Sequence, residues 1–318
     1  MNVFSADVAL AIARLGLLVL LGWFMARQGW VGPHARQPLM RMIIWVFFPA
    51  MIFSRVSGNP LIASGSQALL YIGAGFLMIV TGYAVAKAVG SLFGVSAGTA
   101  RRTFAFSAGV NNFGYLGIPV TAALFDHDVV GVLLVHNVGV EAAVWTVGVA
   151  MLSGESLRRG LKKLLQPMTV ALFVALAINF AGYGRSAPVV FASDLCHAIG
   201  ECAIPLGTLL TGIYLHEIVK DFRLAADAPV SLGVMAVRWL LMPLLVLAAA
   251  AWLVTDGSLR KVMLVQAAMP CGIFTFLIVE MFKGEVMVSL RCSVITMLCC
   301  PLVTPLWLWL GARWLHLA

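Results

Sequence analysis

Between Ala108 and Val120 the chain reads Ala-Gly-Val-Asn-Asn-Phe-Gly-Tyr-Leu-Gly-Ile-Pro-Val, inside a stretch from 103 to 125 that is otherwise apolar. A continuous membrane helix gains nothing from that composition. Proline removes a backbone donor, glycine weakens a helix, and an asparagine amide finds no partner in hydrocarbon. Irregular backbone at membrane depth persists only where protein buries it or where it lines a wet cavity. The segment therefore predicts a broken helix at a solute site, and the rest of the chain has to supply its surroundings.

Those surroundings are apolar. Only 11% of the residues are charged and 62% are hydrophobic, against about 25% charge in soluble domains, and mean hydropathy is +1.00. A crossing takes about 20 apolar residues. Ten segments meet that need, near 7–29, 38–56, 67–93, 102–125, 129–152, 167–184, 194–216, 230–254, 259–282 and 288–313. The expected fold is an all-α polytopic membrane protein of ten transmembrane helices, with too little chain left over for a soluble catalytic domain.

The net charge of +8 sets topology and does not point to nucleic acid. With the N-terminus outside, twelve basic residues fall on the cytoplasmic side: Arg27, Arg36, Arg41, Arg101, Arg102, Arg158, Arg159, Lys162, Lys163, Lys220, Arg223 and Lys283. Five fall opposite: Arg55, Arg185, Arg260, Lys261 and Arg313. That is the positive-inside bias of a multi-pass membrane protein. The six cysteines lie in or beside spans without metal-ligand spacing, so neither a disulfide framework nor a metal is expected. The first span is long enough to cross and lacks the basic n-region of a cleaved leader.

The basic stretch at 153–166 divides the spans five and five, giving an expected first unit at 1–152, a cytoplasmic linker at 153–166 and a second unit at 167–318. An odd number of spans in each half makes the halves enter the membrane in opposite senses, as inverted repeats do. Prolines recur in matched order. Pro49 in span two answers Pro205 in span seven, and Pro119 in span four answers Pro270 in span nine, within Gln-Ala-Ala-Met-Pro-Cys-Gly-Ile-Phe from Gln266 to Phe274. Paired interrupted segments are the sequence mark of a transporter site. Crossed near mid-membrane, they present half-helix N-termini that favour an anion, and a small carboxylate is the expected occupant.

The chain resembles the auxin efflux carrier family, which includes permeases assigned as malonate transporters and the plant PIN-formed auxin exporters. The resemblance covers nearly the whole length. It is carried by Asn111-Asn112-Phe-Gly-Tyr-Leu-Gly117-Ile-Pro119, Gln266-Ala-Ala-Met-Pro270, Arg238-Trp-Leu-Leu-Met-Pro243 and Val303-Thr-Pro-Leu-Trp307. It implies two inverted five-helix repeats. Spans 1, 2, 6 and 7 would form a scaffold that often serves for homodimerisation, and spans 3–5 and 8–10 a moving transport domain crossed at Pro119 and Pro270. It also implies that Asn112, with Asn111, and Glu141 line the substrate site. Glu141 is a departure, because the plant exporters tend to carry a neutral amide there.

From their placement, Asn111, Asn112, Gly117, Pro119, Gln266 and Pro270 are the candidate substrate-binding set. Glu141 lies mid-span in Gly-Val-Glu-Ala-Ala-Val-Trp, where a carboxylate costs ~2.5–3.5 kcal/mol and is expected to face the bundle interior. It is either a proton carrier or a member of a structural ion pair. Arg238 is a candidate partner for the carboxylate of Glu141 or of the substrate, and Lys87 is a charge-pairing candidate; both can instead snorkel to the cytoplasmic surface, the preferred reading for Lys87. His136 and Asn137, near the middle of span five, are placed to line the path, but a packing role is the reading preferred for both. Asp126-His127-Asp128 lacks further ligands for a metal, and no catalytic motif or cofactor cradle is present. The expected function is a secondary carrier of small organic anions, malonate-like mono- or dicarboxylates. Proton coupling, sodium coupling and uncoupled efflux all stay open, and an anion channel is the alternative of a different class.

Overall fold

A computed structural model describes residues 6–62, 64–153, 167–220, 227–273 and 275–317. The basic cluster of the expected linker, Arg158 to Lys163, and Arg223 lie outside the described residues. The first half runs α1 (Ala6–Arg27), α2 (Pro33–Met42), α3 (Phe48–Val56), α4 (Gly65–Leu92), α5 (Thr99–Gly109), α6 (Gly117–Leu124), α7 (His127–Ala143) and α8 (Val149–Ser153). The second runs α9 (Pro167–Phe180), α10 (Ala187–Gly200), α11 (Ala203–Lys220), α12 (Ala228–Ala236), α13 (Met242–Trp252), α14 (Gly257–Ala267), α15 (Thr275–Met281) and α16 (Val286–Trp314). Among the described residues there is no strand, only one isolated bridge between Asn111 and Cys271.

Among the described residues six helices are long and apolar enough to cross a membrane: Gln37–Val56, Gly65–Leu92, His127–Leu152, Ala187–His216, Ala228–Trp252 and Val286–Trp314. The remaining expected spans take other forms. The first is the 22-residue α1, the sixth is the 14-residue α9, and the fourth and ninth are the interrupted pairs α5/α6 and α14/α15. The seventh starts earlier than expected, at Ala187, because Pro188 sits in the first turn, where its missing N–H costs nothing.

Local chemistry sets several of these boundaries. Ser64 caps α4 through the Gln67 N–H, Asp227 caps α12 through Val230, and Asp256 caps α14 through Leu259. A π turn precedes Pro49 at Ile43–Phe47, and another precedes Pro243 at Val237–Leu241. Proline cannot donate to the carbonyl four residues back, and its ring crowds that carbonyl. A wider turn relieves the conflict. At Pro243 the released carbonyl is that of Trp239, and the Trp307 indole N–H from α16 takes it at 3.0 Å.

The helices pack with their backbones close together. A Cβ on Gly75 of α4 would stand 2.1 Å from the His136 carbonyl oxygen of α7, and one on Gly139 of α7 would stand 1.8 Å from that of Ile72. Gly22 and Gly212 bring α1 and α11 together in the same way. Small residues at helix contacts are how membrane helices gain van der Waals packing without a hydrophobic drive between them. Large apolar side chains such as Leu20, Trp45, Leu77, Phe191, Trp252 and Leu302 lie outward, as a lipid-facing surface requires.

Candidate functional site

The fourth and ninth spans break and meet. α5 ends at Gly109, and the chain runs unwound from Val110 to Leu116 before α6 begins at Gly117. α14 ends at Ala267, and α15 begins at Thr275. Two backbone hydrogen bonds join the breaks in antiparallel sense: Asn112 N–H to the Pro270 carbonyl at 2.7 Å, and Gly272 N–H to the Val110 carbonyl at 3.0 Å. Pro270 thus sits at the crossing, where only its carbonyl is needed. Pro119 does not. It occupies the first turn of α6, where a missing N–H is free of cost, so the break lies on its N-terminal side.

Most of the unwound backbone is already satisfied. Thr304 of α16 donates to the Ala268 carbonyl at 2.7 Å, Ser293 to that of Gly272 at 2.9 Å, and Cys271 N–H donates to the Thr296 hydroxyl at 3.1 Å. Arg238, fully buried on its π turn, gives Nη2 to the Met269 carbonyl at 2.8 Å. A cation at the C-terminal end of α14 complements the helix dipole, and among the described residues Arg238 makes no ion pair with Glu141 or another side-chain carboxylate. On the α6 side, the Asn112 side-chain oxygen accepts Leu116 N–H at 3.3 Å, its main-chain carbonyl accepts Gly117 N–H at 3.0 Å, and the Gly114 carbonyl accepts Ile118 N–H at 3.1 Å. The N–H groups that open this half-helix are therefore engaged.

Gln266 is the hub of a buried amide network. Its Oε1 accepts from Asn111 Nδ2, which also donates to the Gln266 carbonyl at 3.1 Å. Its Nε2 donates to Asn137 Oδ1 at 3.1 Å, and Asn137 Nδ2 donates to the Phe113 carbonyl at 3.2 Å. Gly117 leaves room for the hub, since a Cβ there would stand 3.2 Å from Gln266 Nε2.

In front of the crossing lies a cavity of about 230 Å³. Asn111, Asn112, Phe113 and Tyr115 line it from the break, Asn137, Glu141 and Trp145 from α7 and the π turn Val144–Gly148 that follows it, and Thr169 from α9. Ile44, Phe48 and Ile52 face them from the α2–α3 span. Of the sequence-derived candidates, the structure brings Asn111, Asn112 and Glu141 onto this cavity. Gly117, Gln266 and Pro270 stand behind its wall, Pro119 lies within α6, and Lys87 is exposed on α4 away from it. Asn137, which the sequence reading weighed as a path residue but assigned to packing, also lines the cavity. Its position four before Glu141 puts both on one face of α7, a spacing that could have found it.

The comparisons with known proteins agree with this architecture. A family model described as "Membrane transport protein" matches twice, over residues 7–159 and 156–308. An uncharacterized transporter from Methanothermobacter thermautotrophicus is similar at 25% identity over 268 residues, covering 80% of this chain and 82% of that protein.

Proposed function

We propose, on the premise that the chain belongs to the membrane transport protein family of auxin efflux carriers, that it is a secondary carrier of small organic acids. Its substrates are mono- or dicarboxylates of malonate-like size, moved across the bacterial cytoplasmic membrane by alternating access. Ten spans form two inverted repeats with the N-terminus outside. Spans 1, 2, 6 and 7 are the scaffold, a candidate homodimer surface, and spans 3–5 and 8–10 carry the site. The observation that carries this proposal is the pair of broken helices stitched at Asn111 and Cys271 behind a cavity lined by Asn111, Asn112 and Glu141. Irregular backbone at that depth is otherwise hard to account for.

Under this topology the cavity sits between the crossing and the cytoplasmic ends of spans 5 and 6, so the state described is inward-facing. Glu141 is the cavity's acidic side chain and the group proposed to take up and release a proton in the cycle. Proteoliposomes loaded with labelled malonate, acetate or propionate test both points. We expect saturable counterflow, a loss of tenfold or more in Asn112→Ala (about 1.4 kcal/mol of recognition), and loss of proton-driven accumulation with counterflow retained in Glu141→Gln. Asn112→Ala transport indistinguishable from wild type would remove the site assignment. Currents that never saturate would replace the carrier by a channel.

A further inference from the structure

A second cavity lies apart from the proposed carrier site and shares no lining residue with it. It is a groove of about 600 Å³ between α1 and α16, lined also by Leu116, Val120 and Met269 of the two broken spans. Its cause is local. Ala13 and Gly16 on α1 and Pro301 and Pro305 on α16 are too short to reach across, and a Cβ added at Gly16 would meet nothing within 4 Å. The lining is apolar apart from Cys300 and Thr304, which bond to each other and to the Ala268 carbonyl. Leu20 and Leu298, both in the lining, are 61% and 51% exposed, so the groove opens on the lipid-facing surface.

Beside that opening is a charge. Arg14, next to Ala13 on α1, is exposed, and among the described residues it makes no ion pair. Its Cα stands about 12 Å from the N-terminal end of α1, at 1.5 Å per residue. An arginine at that depth ordinarily faces the bundle interior or a wet cavity, and Arg14 does not. Side chains on a helix lean toward its N-terminus, so the guanidinium reaches for the near end of α1, where lipid phosphates lie. From Ala13 the groove runs the opposite way, along Gly16 and Leu20 and so deeper into the bilayer.

We infer that the groove holds one acyl chain of an anionic phospholipid whose phosphate pairs with Arg14. The guanidinium fork matches two phosphate oxygens, and no Asp or Glu lines the groove to oppose the head group. So few free polar groups give water no partners there, whereas a hydrocarbon chain supplies the dispersion contacts that the walls lack. α1 and α11 belong to the proposed scaffold, and α6 and α16 to the proposed transport domain. On the carrier reading the chain therefore lies along the boundary that moves; the binding itself does not depend on that reading.

The test uses the full chain in phosphatidylcholine nanodiscs doped with phosphatidylglycerol that carries a photoactivatable acyl chain, read by peptide mass. Cross-links are expected to concentrate on residues 13–20 of α1 and 297–308 of α16, at least fivefold above other lipid-facing helices. Arg14→Leu should lower them about tenfold, and Arg14→Lys, which keeps the charge, at most twofold. Gly16→Leu fills the open space and should lower them about as far as Arg14→Leu does, with Arg14 still in place. The same photoactivatable chain on phosphatidylcholine should label the groove at least fivefold less. Labelling spread evenly over the lipid-facing helices, or unchanged in Arg14→Leu and Gly16→Leu proteins that elute as the wild type does, would overturn the inference and leave the carrier standing. So would a wild-type dimer that Arg14→Leu turns into monomer, with α1 unlabelled in the dimer, because a second copy would then cover the groove.

Discussion

At the scale of single residues, Gln266 does more than any side chain on the cavity surface. It holds Asn111 and Asn137 at once, and so ties both interrupted spans to α7. Gln266→Leu removes the donor to Asn137 Oδ1 and the acceptor for Asn111 Nδ2. Leaving buried polar groups unpaired costs about 1–3 kcal/mol each. We expect a lowered unfolding temperature in detergent together with a rise in half-saturating substrate concentration of tenfold or more. A variant that unfolds as the wild type does and transports with unchanged affinity would show that the network does not set the site. The polar residues of the crossing are legible in the sequence because polarity at membrane depth needs a reason. Their pairings are not. A buried Arg238 suggests a carboxylate, yet its Nη2 turns to the Met269 carbonyl at the end of α14. Asn137 looks like packing until Gln266, 129 residues away, is seen to donate to it.

At the scale of elements, the sequence locates both interruptions to within a few residues, and the error has a cause. Proline marks where a helix is unable to continue, but the first turn tolerates it, so Pro119 lies inside the helix that follows the break. Glycine is harder still to read. Gly73-Ala-Gly75 suggests close packing at either glycine, and only the three-dimensional arrangement separates them. A Cβ on Gly75 would stand 2.1 Å from the His136 carbonyl, whereas one on Gly73 meets nothing within 4 Å. Gly75→Leu is therefore expected to force α4 off α7 and to cost about 1–3 kcal/mol or more, seen as loss of monodisperse protein in detergent. Gly73→Leu should express and elute like the wild type. Equal behaviour of the two would contradict the α4–α7 contact. The same contact bears on the proposed site, since α7 carries Asn137 and Glu141 to the cavity.

At the scale of the whole molecule, α3 and α7 make a wedge. Toward the Asn59 end they are locked: Asn59 Nδ2 bonds the Arg55 carbonyl at 2.8 Å and the Asp128 carbonyl at 3.0 Å. Gly131 lets them touch, because a Cβ there would stand 2.4 Å from the Arg55 carbonyl oxygen. Farther along, between Ile52 and Trp145, the two spans part around the cavity. In the proposed alternating-access cycle the locked end opens in the other half, when the cavity closes. Gly131→Ala wedges the locked end with a methyl group, and strain of about 1–3 kcal/mol in one of two states shifts their populations by roughly 5–150-fold. Leu134, on α7 between the lock and Glu141, reports the change. In intact cells, Leu134→Cys should react slowly with a membrane-impermeant maleimide, and several-fold faster when Gly131→Ala is added, as read by peptide mass. An unchanged labelling rate, with the double variant still folded and transporting, would mean that the Asn59 end is not the gate on the external side.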